Sequence, residues 1–272
     1  MYKTKIDNLD LKQIADSGQC FRWKNTGENE YTVVAFDRAL RIKQDGNEFE
    51  LDCDEADWNN IWKSYLDMDT DYAGIAKLIA DGDDAHLKEA YAYGSGVRIL
   101  RQDLWEMIVT FLISQQNNIV RIRRCIKNIC ETYGTAKTAS NGVCYYAFPT
   151  AQALAGLEED ALMACNLGYR SKYVVRAAKA VSSGEVDLAW ISSLNYQKAR
   201  AELLKLFGVG EKVADCICLF ALHHLDAFPV DTHIRQVMEQ HYKRGFPNRR
   251  YKGIRGIMQQ YIFYYELHGS EK

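Results

Sequence analysis

The sequence predicts an α+β protein. An N-terminal antiparallel β-sheet domain is expected over residues 1–95, followed by an all-helical, two-lobed domain over 96–272 with a helix-hairpin-helix at about 195–223. Three observations carry this expectation. Residues 20–53 break into short β-rich runs between Gly, Asn and Asp turns. From Leu100 onward, apolar residues recur at three- and four-residue intervals. Near residue 208, a Gly-Val-Gly turn separates two such helical stretches.

In chain order, EYTVVAF, ALRIKQ and EFELDC read as strands, and Asp45-Gly46 between the last two is a hairpin signal. Residues 54–96 mix helical periodicity with acidic turns, and Gly94–Gly96 marks the boundary. DLWEMIVTFLISQQNNIVRIRRCIKNICETYG (103–134) is helical, as are PTAQALAGLEEDALMACN, YRSKYVVRAAKAVSSG and NYQKARAELLKLFGVG, the last two ending at Gly. The hairpin's second helix is EKVADCICLFALH. Pro229 stops what precedes it, and a further helix begins near Thr232 with Asp231 as its N-cap.

At 272 residues, 47% hydrophobic and 26% charged, the chain can bury a substantial core. No apolar run approaches the ~20 residues of a membrane span. The N-terminus has no apolar signal core, which points to the cytoplasm, or to the nucleoid in a bacterium. The eight cysteines contain no CxxC pair and none follows Cys218, so they are expected to be reduced and to bind no metal. Net charge is −2, but its distribution is uneven. Residues 1–100 carry 12 basic and 20 acidic side chains, a net of −8; residues 101–272 carry 22 and 16, a net of +6. The second part can therefore present a phosphate-binding face.

LFGVGEKVADCICLFAL (206–222) places Lys212 in the first turn of an apolar helix, where the dipole disfavours a cation. Either the lysine is tolerated at the surface, or the site needs an amine. Gly208 and Gly210 permit positive φ and close backbone approach, and the helix start offers free N–H groups to a phosphate. Ala201, Leu204 and Leu206 before the turn, with Val213, Ala214 and Cys216 after it, supply an apolar interior. An amine nucleophile must be neutral, whereas free lysine has a pKa of ~10.4; a helix N-terminus and apolar walls both lower such a value. Asp231 lies 19 residues downstream, and an antiparallel return of the chain would bring it to the same pocket. A helix cap explains Asp231 equally well.

GVGEKVADCICLFAL with PVDTHI resembles the helix-hairpin-helix, Gly/Pro…Asp DNA glycosylases, specifically the 8-oxoguanine DNA glycosylases. SGQCFRW (17–23), RILRQD (98–103), SQQNNIVRI (114–122), FPTAQALAG (148–156), LGYRSKYV (167–174) and GIMQQYIFYYEL (256–267) resemble that family in the same order. The resemblance covers most of the chain.

The resemblance implies that Lys212 attacks C1′ of the damaged nucleoside, displaces 8-oxoguanine and forms a Schiff base, after which β-elimination nicks the strand. Asp231 would stabilise the oxocarbenium-like sugar. Gly18 would offer its carbonyl to the N7–H that distinguishes 8-oxoguanine from guanine. Cys216 and Phe263 would sandwich the flipped base, and Gln259 would read its Watson–Crick edge. Gln116 would fill the vacated stack, in place of the asparagine of eukaryotic members. Tyr169 would be the wedge, and Arg121 and Arg170 would hold the orphaned cytosine. Gly208, Gly210 and His233 would contact phosphate. The partner is duplex DNA containing 8-oxoguanine, preferably opposite C, and the enzyme would act as a monomer without a cofactor. A monovalent cation could sit on the hairpin carbonyls. The rival is a non-catalytic helix-hairpin-helix module that only clamps DNA.

Overall fold

The computed structural model describes residues 1–139 and 141–269. Five strands form one antiparallel sheet in the order β1-β5-β4-β3-β2: β1 (Tyr2–Lys5), β2 (Trp23–Gly27), β3 (Glu30–Ala35), β4 (Arg38–Asp45) and β5 (Glu48–Leu51). Alternation sets the buried face. Tyr31, Val33 and Ala35 of β3 point inward beside Leu40 and Ile42 of β4 and Phe49 and Leu51 of β5. The hairpin expected at Asp45-Gly46 is present, with Asp45 paired to Glu48 and Gly46 at φ +58°. The β3–β4 turn was harder to see. The run EYTVVAF extends the strand through Phe36, but Phe36 and Asp37 both take positive φ and form the two-residue loop between Ala35 and Arg38.

The boundary expected at 95/96 is not where the packing divides. The helices Tyr72–Asp81 and Ala85–Gly94, capped by Asp71 and Asp84, bury Tyr72, Ile75, Ile79, Leu87 and Ala90 in the helical core rather than in the core of the sheet. Gly94, which looked like linker punctuation, is a close-packing position. A Cβ there would lie 2.9 Å from the Tyr264 ring. The second part is helical apart from a short ribbon, Ala136–Thr138 against Cys144–Tyr146. Its central helix, Leu104–Ser114, is buried almost all round.

The segment RILRQD stitches the two parts together. Arg98 donates to the carbonyls of Asp7, Asn8 and Asp67; Leu100 N donates to Gln19 Oε1, and Gln102 Nε2 to Gln19 O. Beside it, the fully buried Asp67 accepts from Tyr72 Oη (2.8 Å), Thr70 Oγ1 (3.0 Å) and Arg101 Nη2 (2.9 Å), with His223 Nε2 at 3.0 Å. Burial opposes ionisation of Asp67, but His223, Tyr72 and Arg101 outweigh it and hold its pKa below the usual value. A depressed carboxylate pKa contributes stability above the unfolded-state value, and that contribution disappears as pH falls through the folded-state value. Asp67→Asn should therefore cost on the order of 2–3 kcal/mol at neutral pH, less than a fully buried pair because Arg101 keeps partial access to water. The deficit should shrink in acid, which thermal melts across a pH series would show.

Candidate active site

The hairpin is built from helices Tyr196–Leu203 and Glu211–Phe220. Asp215 pins them together, accepting from Arg200 Nε (2.7 Å) and Tyr196 Oη (2.7 Å). The inner face differs from the expected one by a shift along the first helix. Ala199, Leu203 and Leu206 are buried, whereas Ala201 is exposed and Leu204 half-buried. The two glycines also differ. Gly208 has φ +88°, and a Cβ there would sit 2.7 Å from Cγ of Tyr173. Gly210 is extended (φ −95°, ψ 177°), so it needs no left-handed freedom, and a Cβ there would meet open space. Gly210 is the N-cap of the second helix, and the first helical bond is Ala214 N to Gly210 O. The N–H groups before Ala214 have no intrahelical acceptor and are available to an anion.

Gly208→Ala should combine left-handed strain with a ring collision and destabilise the protein by about 2–4 kcal/mol. It should also abolish duplex binding. Chemical denaturation and fluorescence anisotropy would measure the two effects.

Lys212 and Asp231 line one narrow cavity of about 40 Å³. Its other walls are Gly18, Phe111, Cys216, Phe220, Pro229, Gln259, Gln260 and Phe263. The structure thus brings Lys212 and Asp231 together with all four residues expected to bind the base. The Lys212 amine lies 5.5 Å from the centroid of Phe111, and Cys216 shares the cavity wall with it. Burial pushes the Cys216 thiol up to about 11, with Lys212 opposing, so this cysteine is a neutral wall and not a rival nucleophile. Asp231 caps the helix Thr232–His241, its Oδ1 accepting from Ile234 N at 2.9 Å. The cap engages only one carboxylate oxygen, so capping and lining the cavity are compatible.

Gly18 has φ +75°, and a Cβ there would lie 3.0 Å from Phe263 Cε1. The cavity has room for a few waters but not for a purine, so a base enters only if the cavity walls move. The turn bearing Gly18 is held by two buried amides that sequence reasoning missed. Gln260 Nε2 donates to Ser17 O (2.6 Å), and Gln19 Nε2 donates to Arg98 O (2.8 Å). The signal was present in the paired glutamines of GIMQQYIF, two polar residues in an apolar stretch. The buried Gln259 donates to Pro229 O (3.2 Å), while its Oε1 has no partner among the described residues. An unmatched buried acceptor is costly unless something fills it.

The remaining expected residues lie on a second cluster. The long helical stretch 103–134 breaks at Gln115–Asn118, where Gln116 is exposed with φ +47° and Asn118 caps the helix Ile119–Tyr133. Tyr169 is exposed, with its hydroxyl 3.3 Å from Gln116 Oε1. Arg170 is buried, stacks on Tyr169, and donates to the carbonyls of Gln115, Gln116 and Leu167. Three of its five N–H groups are committed to bracing this turn. Arg121 is exposed and makes one long bond, to Asn166 O at 3.3 Å. His233 is exposed in the first turn of its helix, its ring edge-on to Phe263.

A helix-hairpin-helix sharing one pocket with a lysine and a capping aspartate defines a base excision repair protein of the helix-hairpin-helix class. The comparisons agree. Residues 109–248 match the HhH-GPD superfamily of base excision DNA repair proteins, and residues 1–108 match the 8-oxoguanine DNA glycosylase N-terminal domain. The chain is 34% identical to the N-glycosylase/DNA lyase of Saccharomyces cerevisiae, over 91% of its own length and 72% of the yeast protein. It is 31% identical to the N-glycosylase/DNA lyase OGG1 of Arabidopsis thaliana, covering 84% of this chain and 65% of that protein, slightly under two thirds. Among solved structures, it is similar to the Clostridium acetobutylicum 8-oxoguanine glycosylase/lyase bound to DNA with cytosine opposite 8-oxoG, with a TM-score of 0.91, 34% identity, and 99% and 98% of the two chains covered. MBOgg1 in complex with a low-affinity DNA ligand gives a TM-score of 0.92 at 34% identity, covering 99% and 96%. The chain belongs to the 8-oxoguanine DNA glycosylase family, within the HhH-GPD superfamily. No described helix is long and apolar enough to cross a membrane.

Proposed function

We infer that this chain is a bifunctional DNA glycosylase/AP lyase that excises 8-oxoguanine from duplex DNA in base excision repair. It would act on cellular DNA in the cytoplasm or nucleoid. The observation that carries this reading is the placement of Lys212 and Asp231 on one cavity with Gly18, Cys216, Gln259 and Phe263. A clamp alone needs none of these residues converging, so the non-catalytic alternative is not favoured.

In this reading the flipped base enters between Phe263 and Cys216. Gln259 Oε1, which lacks a donor among the described residues, accepts from the N–H groups on the base's Watson–Crick edge. The Gly18 carbonyl accepts the N7–H of 8-oxoguanine. The Lys212 amine attacks C1′, the C1′–N9 bond breaks, and the base departs with the bonding electron pair, taking up the proton that the alkylated amine sheds. Asp231 stabilises positive charge developing on the sugar. The secondary amine left on C1′ opens the sugar ring to a Schiff base, and loss of a C2′ proton expels the 3′ phosphate. Gly208, Gly210 and His233 hold the backbone through N–H groups and an imidazole. A monovalent cation on the hairpin carbonyls fits this picture, although Gly208 O already accepts from Gln115.

Gln116 and Tyr169 occupy the vacated stack, while Arg121 and the uncommitted N–H groups of Arg170 donate to O2 and N3 of cytosine. Adenine offers no equivalent acceptor pair, so excision should be at least about tenfold faster opposite C than opposite A, the value of one lost charged hydrogen bond. Strand nicking on duplexes with a single 8-oxoguanine measures both points. Equal rates opposite C and A would contradict the pairing role, and no nicking at all would contradict the activity.

A further inference from the structure

Three elements of the nucleic-acid face meet at Gln115, the residue before the stack-filling Gln116. Gln115 Nε2 donates to Gly208 O in the hairpin (3.0 Å) and to Leu112 O (3.3 Å). Its backbone carbonyl accepts from Arg170 Nε (2.7 Å), and the next carbonyl accepts from Arg170 Nη2 (2.7 Å). On the far side, the Tyr173 ring fills the space that a Gly208 side chain would take, linking the hairpin to the helix Ser171–Ser182 that follows Tyr169 and Arg170. Insertion turn, wedge and hairpin thus form a closed ring of contacts, and among the described residues the Gln115 amide makes the only hydrogen bond between turn and hairpin.

We propose that Gln115 is a positioning residue that locks the insertion turn to the phosphate-gripping hairpin, so that the stack is opened and the lesion strand held by one rigid unit. This rests on the glycosylase reading above. Extruding a paired base costs a few kcal/mol. A wedge performs that work only if its support does not yield relative to the strand it pushes against. A helix cap would account for the Leu112 bond alone. Ser114 and Asn117 serve the neighbouring carbonyls, Phe111 O and Ile113 O, in that way, and neither reaches the hairpin. The bond to Gly208 O is the one that a cap does not require.

Gln115→Ala removes the amide and leaves the backbone acceptor for Arg170. Gln115→Asn keeps an amide at the helix end but is one methylene shorter. Both variants should slow single-turnover excision from an 8-oxoguanine·C duplex by about tenfold or more, as small misplacements do. Binding of undamaged duplex, and nicking at a preformed abasic site where no base is extruded, should stay within about threefold of wild type, well under that effect. Fluorescence of 2-aminopurine beside the lesion should show slower unstacking. The proposal is overturned if Gln115→Asn excises at the wild-type rate, since the amide is then only a cap. It is also overturned if abasic-site nicking and undamaged binding fall by the same factor as excision, since the residue is then merely structural. A wild type that releases no 8-oxoguanine would overturn the glycosylase reading itself, which the abasic and binding arms keep separate.

Discussion

Lys212→Gln should abolish base release, by at least on the order of 10⁴-fold in the single-turnover rate, as loss of a nucleophile does elsewhere. Duplex binding should change little, because Lys212 faces Phe111 and Cys216 on the cavity wall rather than open solvent. Glutamine keeps much of the side chain's length and its capacity to donate a hydrogen bond, but it cannot form an iminium. Strand nicking should disappear together with base release, since the same nitrogen carries both steps. If nicking persisted without excision, a second amine would have to be forming the Schiff base. Quantifying free 8-oxoguanine by chromatography alongside gel analysis of the strand separates the two.

The second large effect is expected at Asp231, and two substitutions divide its roles. Asp231→Asn keeps an oxygen that can accept from Ile234 N, so the cap survives and stability should change by less than about 0.5 kcal/mol. The charge facing the sugar is lost, however, and excision should fall by about 10²–10³-fold, the usual cost of removing one stabilising group from a transition state. Asp231→Ala loses both, adding about 1 kcal/mol of destabilisation to the same kinetic defect. Were Asp231→Asn fully active, the aspartate would be a cap and nothing else. Thermal melts and single-turnover kinetics on the two variants decide this.

Much of this site was legible because a few residues carry strong local constraints. Gly208 must accept a left-handed backbone under the Tyr173 ring, and Asp231 follows a proline and starts a helix; both leave a mark in the sequence. The β4–β5 hairpin was equally visible, since Asp-Gly meets the demand for positive φ. Other features left weaker marks. β1 is four residues long with lysines on its exposed face, so its membership of the sheet depends on pairing with β5, 47 residues away from Lys3 to Glu50, and not on its own pattern. Gly94 and Gly96 resemble a linker, yet each lies where a neighbour presses against the backbone, Tyr264 and Asp10 respectively. Nothing local distinguishes a glycine needed for packing from one ending a domain. In the same way, Gln115 and Gln116 are adjacent and identical, and only the three-dimensional position of Gly208 O separates one that reaches inward from one that faces out.

The central claim is that the ε-amino group of Lys212 becomes bonded to the sugar of the damaged nucleoside. Borohydride reduction during turnover on an 8-oxoguanine·C duplex, followed by tryptic digestion and mass spectrometry, tests it directly. The account requires a reduced adduct on a peptide spanning residues 206–235, with cleavage blocked at Lys212. No adduct from active enzyme, or an adduct on any other amine, would contradict it.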